Sequence, residues 1–228
     1  MKGGQTLHLR SGAADYHIFH RIFVDDQYRI DPIQASGKRL ECVLDIGANV
    51  GIFATRVAPL AHQVLAFEAA RENFGRLEQN VADWPQIQAF HTAVTASSGS
   101  IRLYVPSQER LSGEFSTYPG LSGQEARYEE VAALSLDDLF AAHITGACDL
   151  MKLDVEGAEY DIIEGASAAT LSRVRRIVGE YHNLHDAQGS PRVEALQLLL
   201  EKSGFQVEIV SHRNNPNHGL FFAHRPQV

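Results

Sequence analysis

The chain is poor in several features that would otherwise fix its class at once. No apolar run approaches the roughly 18–20 residues that a membrane-spanning helix needs. The opening Met1-Lys2-Gly3-Gly4 also lacks the apolar stretch of a secretion signal. A cytoplasmic location with no membrane partner is therefore expected. Cysteine is scarce. Cys42 and Cys148 are the only two in 228 residues, and each sits at an apolar stretch, so buried reduced thiols are expected rather than a redox role. Basic charge is short as well: 20 Lys and Arg against 28 Asp and Glu leave a formal net charge of −8. That balance gives no electrostatic footprint for nucleic acid, and the expected partner is a small or neutral molecule. The Gly-x-Gly-x-x-Gly fingerprint of dinucleotide sites is missing too.

What is present reads as one α/β domain. At 228 residues and 44% hydrophobic, the chain can bury a full core. From residue 40 onward strand and helix patterns alternate: strands over 42–46, 63–67, 86–91, 149–153 and 175–179, with helices over 50–58, 71–82 and 136–143 between them. That rhythm predicts a mostly parallel sheet with helices on both faces. Two last strands, 205–210 and 219–223, are joined by a short polar link and should pair antiparallel. Residues 1–39 form an N-terminal appendage with a helix over 15–24, expected to cover one end of the site, ahead of a domain spanning 40–228. Asp31-Pro32 and Ser36-Gly37-Lys38 punctuate it. The rhythm breaks at 97–133, where two strands flank a Gly- and Ser-rich stretch read as an inserted flap.

The chemistry gathers where strands end. Val43-Leu44-Asp45-Ile46-Gly47-Ala48-Asn49-Val50-Gly51 is a buried strand running into a glycine-bearing turn and then a helix. Gly47 can take a positive φ and Gly51 lets the helix lie close to the sheet, so backbone N–H groups can approach a polar ligand. Asp45 stands at that edge, and Glu68 closes the next strand, where it suits a ribose diol. Asp154, Glu156 and Glu159 crowd the tip of a later strand, and Glu180 with His182 ends the following one. His182 is a candidate general base. With Glu180 and Asp154 it could also make an oxygen-rich cation site. His185 follows three residues on, but a His-x-x-His pair with no cysteine partner is weak ground for zinc.

These blocks carry a resemblance. Leu44-Asp45-Ile46-Gly47-Ala48-Asn49-Val50-Gly51, Ala66-Phe67-Glu68, Leu136-Asp137-Asp138-Leu139, Met151-Lys152-Leu153-Asp154-Val155-Glu156-Gly157-Ala158-Glu159 and Glu180-Tyr181-His182 resemble the FkbM-type family of S-adenosylmethionine (SAM) dependent methyltransferases. The likeness spans roughly residues 40–185 and implies a Rossmann-like class I methyltransferase domain with a seven-stranded sheet and a C-terminal antiparallel hairpin. It implies that Asp45, Gly47, Asn49 and Gly51 shape the pocket for the methionine part of SAM and that Glu68 holds its ribose. Thr92 and Ala93 should then lie near the adenine, with Asp154 and Glu156 facing the transfer site. The family's usual Phe-Glu-Pro is Phe67-Glu68-Ala69 here, which keeps the carboxylate in a less rigid turn.

Methyl transfer from a sulfonium is an in-line displacement, so the protein must mainly align a nucleophile and remove its proton. The expected acceptor is a hydroxyl on a small molecule or saccharide, with S-adenosylhomocysteine as product and Asp154, Glu156 and His182 as catalytic candidates. No metal is assigned, although the Asp154, Glu156 and Glu180 carboxylates leave Mg²⁺ open. Oligomeric state is open too, a homodimer included. Two rival readings are a silent SAM- or nucleotide-binding module and a nicotinamide-dependent oxidoreductase on a similar sheet. A nucleic-acid methyltransferase is disfavoured by the net acidity and by the lack of an Asn-Pro-Pro-Tyr-like tetrad.

Overall fold

The computed structural model describes residues 6–11, 14–105, 127–182, 192–212 and 215–226. In chain order its strands are β1 Leu40–Ile46, β2 Ala61–Glu68, β3 Ile87–His91, β4 Ala93–Thr95, β5 Gly99–Val105, β6 Arg127–Ser135, β7 Leu150–Leu153, β8 Arg176–His182, β9 Gln206–His212 and β10 Asn215–His224. Its helices are α1 Asp15–Phe23, α2 Asp31–Ala35, α3 Ile52–Val57, α4 Arg71–Val81, α5 Leu136–His143, α6 Glu159–Gly165, α7 Ala168–Ser172 and α8 Arg192–Lys202. No helix among these residues is long and apolar enough to cross a membrane.

Seven strands form one sheet in the order β3-β2-β1-β7-β8-β10-β9. β1 pairs in parallel with β2 on one side and β7 on the other, and β7 pairs in parallel with β8. β10 lies between β8 and β9 and runs antiparallel to both. The central strands are apolar runs because both of their faces are covered: Val43 and Leu150 face one core, Leu44 and Met151 the other. The first core is closed by α1 to α4 through Ile22, Ile33, Phe53 and Leu77. The second is closed by α5, α6 and α8 through Leu139, Ile162 and Leu196. β1 is where the chain changes direction across the sheet, and ligands of open α/β sheets bind outside the strands' carboxyl ends at such a switch.

Several elements differ from the sequence reading. Asp31-Pro32 opens the short helix α2 rather than marking a bare turn, since a proline in the first helical turn gives up an N–H that has no partner there. The helix after β1 ends at Val57, and a 3₁₀ turn, Ala58–Leu60, carries Pro59. Between β3 and α5 the chain builds a separate three-stranded sheet, β4-β6-β5, in which β5 and β6 pair antiparallel and β4 joins β6 in parallel. The Gly- and Ser-rich stretch between β5 and β6 falls at 106–126, outside the described residues, as does His185. Cys42 and Cys148 are both buried and form no disulfide.

Candidate active site

The turn after β1 is fixed by its glycine. Gly47 has φ +76° and Asn49 φ +52°, and the N–H groups of Gly47 and Ala48 both donate to Phe67 O, at 3.0 and 2.9 Å. A Cβ on Gly47 would lie 1.8 Å from the Asp154 carbonyl oxygen, so β1 and β7 meet here only because the side chain is missing. Gly51, with φ +86°, starts α3 where a Cβ would press to 2.7 Å on Leu77 of α4. Glu68 braces the turn from the neighbouring strand: its Oε2 accepts from Asn49 N at 2.7 Å and its Oε1 from Ala70 N at 2.8 Å. Burial raises the Glu68 carboxyl above its ordinary range, and the Ala70 and Asn49 N–H groups hold back part of that shift.

A cleft opens above this turn. Gly47, Asn49, Glu68, Thr92, Ala93, Asp154 and Glu156 all line it. Ile101 and Leu103 of β5 form part of one wall, and Ile18, Arg21 and Ile22 of α1 with Gln27 and Tyr28 form part of another. Asp45 and Gly51 are not in that lining. Asp45 is fully buried, and both its oxygens lack a well-formed hydrogen bond. What balances it is Lys152, its register partner on β7. Lys152 Nζ stands 3.4 Å from Asp45 Oδ1 and 3.4 Å from Asp154 Oδ2, and donates to Gly47 O at 2.6 Å. Burial alone would lower the Lys152 ammonium, but the charges of Asp45 and Asp154 outweigh it and hold the group cationic. Asp45 therefore shapes the cleft through Lys152 and the Gly47 turn.

The sequence reading gave Lys152 no role. Its signal was there: a lysine inside the apolar run Leu150–Leu153 demands an opposite charge, and Asp45 holds the matching place within β1.

The other half of the cleft is built from distant side chains. Glu180, 6% exposed, accepts from Arg21 Nη2 and Gln27 Nε2 at 2.7 Å each through Oε1, and its Oε2 faces His218 Nε2 at 2.6 Å. Tyr28 Oη reaches Asp154 Oδ2 at 3.2 Å and Glu180 Oε1 at 3.4 Å. Burial would raise the Glu180 carboxyl, but the His218 hydrogen bond and the Arg21 charge hold it at about 2. None of Arg21, Gln27, Tyr28 or His218 carried a sequence motif.

His182 stands behind this wall, in a shallow depression with Glu159 and Tyr181 rather than in the cleft lining. Its Nδ1 is 2.9 Å from Glu159 Oε1 and its Nε2 is 3.3 Å from Glu156 Oε2. Burial lowers the imidazole pKa, yet the hydrogen bond and charge of Glu159, with Glu156 and Asp154, bring it to about 10. Glu156 is pushed to about 8 by burial, against the pull of His182, although 32% of its side chain still meets solvent. It sits at φ +54° in the bend after β7. Glu159 is 2% exposed and accepts from Val155 N and Gly157 N as well. It is the brace of that bend.

A doubly wound sheet with this strand order, one reversed strand beside its end and a glycine turn under the β1–β7 crevice defines the class I methyltransferase fold. Two solved structures share it. A methyltransferase FkbM from Methylobacillus flagellatus KT superposes with a TM-score of 0.52 at 15% identity over 82% of this chain and 44% of that one. Magnesium protoporphyrin IX methyltransferase ChlM from Synechocystis PCC 6803, with bound S-adenosylhomocysteine, gives 0.50 at 14% identity over 97% and 90%. Residues 45–207 match the methyltransferase FkbM domain, and the chain belongs to that family. Among its relatives, AMB antimetabolite synthetase AmbE of Pseudomonas aeruginosa is 32% identical over 91% of this chain. This chain spans only 11% of that synthetase's length. The 31-O-demethyl-FK506 methyltransferase FkbM of Streptomyces tacrolimicus is 27% identical over 90% of this chain and 86% of its own.

Proposed function

We propose that this chain transfers the methyl group of SAM to a hydroxyl oxygen of a small molecule or sugar. The observation that carries the reading is Asp154: its carboxylate stands at the tip of β7, in the wall of the same cleft as Glu68, with 24% of the side chain exposed. A hydroxyl beside it has a proton acceptor within the cleft. A relative named for methylation at an oxygen of FK506 supports the same acceptor class.

The cleft suits the cofactor by its own chemistry. Each Glu68 oxygen takes one backbone N–H and the Asn73 side chain also donates to the carboxylate; an ionised carboxylate has about four acceptor positions, so a ribose hydroxyl can still be bound. Gly47 and Asn49 form the floor that supports the methionine part, and Thr92 and Ala93 the wall beside the adenine. Asp45 and Gly51 act from behind, the first through Lys152 and the second through the seating of α3. When bound, SAM supplies a methyl carbon made electrophilic by its sulfonium.

The protein's task is then alignment and proton removal. Tyr28 and Lys152 hold the Asp154 carboxylate in place. Asp154 accepts the hydroxyl proton as the acceptor oxygen bonds to the methyl carbon, and the carbon–sulfur bond breaks with its electron pair going to sulfur. His182 is a poor base here because Glu159 holds its Nδ1 and the ring stands outside the cleft lining; it steadies the bend that presents Glu156. Asp154→Asn should keep S-adenosylhomocysteine affinity and lower methyl transfer by about 10²- to 10⁴-fold. Unchanged turnover would remove Asp154 from the chemistry, and an acceptor screen in which amines but no hydroxyls are methylated would overturn the O-methylation reading.

A further inference from the structure

The carboxyl edge of the sheet carries two histidines that take no proton in the methyl transfer proposed above. His182 and His218 are direct partners across the antiparallel β8–β10 pair, and their ring centroids are 5.1 Å apart. Glu180 precedes His182 by two residues, so the period of a strand puts both on one face. Backbone pairing rather than side-chain reach brings the three together, and one ligand atom from each lies within 4.8 Å of the others. Asp154, Glu156 and His182 meet the same limit from the tip of β7. The two sets share His182.

The orientation of these groups is the second observation. Glu159, a carboxylate with 3% of its side chain exposed, holds His182 Nδ1 at 2.9 Å. That leaves Nε2 as the nitrogen turned toward Glu156. A buried carboxylate fixing one ring nitrogen while the other faces a group of oxygens is how metal-binding histidines are oriented. Glu180 is divided likewise, with Arg21 and Gln27 on Oε1 and Oε2 turned to His218. The set differs from the all-oxygen Mg²⁺ arrangement that the sequence left open, because β10 delivers a second imidazole.

We propose that Glu180, His182 and His218 hold a divalent first-row transition ion, with Asp154 and Glu156 adding oxygens from β7. Two imidazoles with carboxylates suit Mn²⁺, Fe²⁺, Co²⁺, Ni²⁺ or Zn²⁺, whereas Mg²⁺ and Ca²⁺ favour oxygen alone. Asp154, Glu156 and Glu180 line the cleft, so the ion stands at its acceptor end, where a bound oxygen would be polarised. The inference rests on strand geometry and is independent of whether the acceptor is a hydroxyl.

The test is calorimetric titration of the full chain, stripped with chelator and dialysed, with Mn²⁺, Zn²⁺ and Mg²⁺, and metal content measured by mass spectrometry. One equivalent of Mn²⁺ or Zn²⁺ should bind, with Mg²⁺ weaker by about ten-fold or more. His218→Ala should weaken the ion by about ten-fold or more and leave S-adenosylhomocysteine binding intact, which shows in the same sample that the variant is folded. His182→Gln is the second variant, should His218→Ala fail that check. Saturable binding by neither transition ion would overturn the proposal. So would stoichiometric binding of equal strength in a folded His218→Ala or His182→Gln chain, since the ion would then lie elsewhere.

Discussion

Glu68 and Glu180 are both buried carboxylates at the carboxyl edge of one sheet, yet they are held in opposite ways. Glu68 is fixed by backbone N–H groups 2 and 19 residues away in sequence. Glu180 is fixed by side chains 38, 153 and 159 residues away. The half of the cleft proposed for the cofactor is therefore braced by main chain in two adjacent βα units. The half proposed for the acceptor is made of exchangeable side chains from α1, the turn after it, β8 and β10. A backbone cradle is insensitive to most side-chain changes, those at turn glycines such as Gly47 excepted, and suits a ligand that stays the same. A side-chain pocket can be re-lined without disturbing the fold and suits a ligand that changes from one relative to another.

The comparison breaks most severely at Lys152, which joins the two halves. Lys152→Met leaves Asp45 and Asp154 without their cation and should cost roughly 3–5 kcal/mol of stability, read from urea unfolding. A loss below about 1 kcal/mol would mean that Asp45 is not charged in the folded chain. Gly47→Ala tests the backbone half. A forced positive φ and the contact with Asp154 O should cost up to roughly 3 kcal/mol, seen as about a hundred-fold loss of S-adenosylhomocysteine affinity by calorimetry. Affinity within three-fold of the parent would show that the turn is not the cradle.

Arg21→Ala sharpens the other side. The guanidinium is 41% exposed, so its bond to Glu180 is partly screened and removal should cost about 1 kcal/mol. Turnover and acceptor KM should change while S-adenosylhomocysteine affinity moves by no more than about two-fold; an equal loss of both would merge the two halves into one. The smallest effect belongs to Arg29 and Glu208, an exposed bidentate pair outside the cleft. Arg29 lowers the Glu208 pKa from 4.5, so the pair stabilises above that value and the contribution fades as pH falls through it. Glu208→Gln should cost about 0.5 kcal/mol or less at neutral pH, and the gap from the parent should close in acid.

The same contrast explains what the sequence revealed. β1, its turn, Glu68 and the β7 tip are legible because strand pattern, glycine and carboxylate lie within a few residues of one another. The mostly parallel sheet followed from the same alternation, whereas its seven-stranded form came from the family resemblance. Arg21, Gln27, Tyr28 and His218 were illegible, since each is ordinary in its own neighbourhood and acquires meaning only from tertiary pairing. His218 meets His182 because β10 inserts between β8 and β9 in one register, and no local period encodes that register. α2 was lost to the presumption that Asp-Pro ends structure. β4, at three residues, is too short to announce itself beside β3.

Lys152 also bears on how the chain reaches this state. Asp45 sits in the first strand of the sheet, and its cation arrives 105 residues after the carbonyl of Gly47 that it also binds. Sealing an uncompensated carboxylate in the interior costs several kcal/mol, so β1 cannot be covered on both sides until β7 docks. The first half of the molecule must wait, hydrated and loosely packed, for the second. Closing so large a loop is slow, and chains halted before β7 should show collapsed but unpacked cores, with side-chain signals that sharpen only once residues through Asp154 are present.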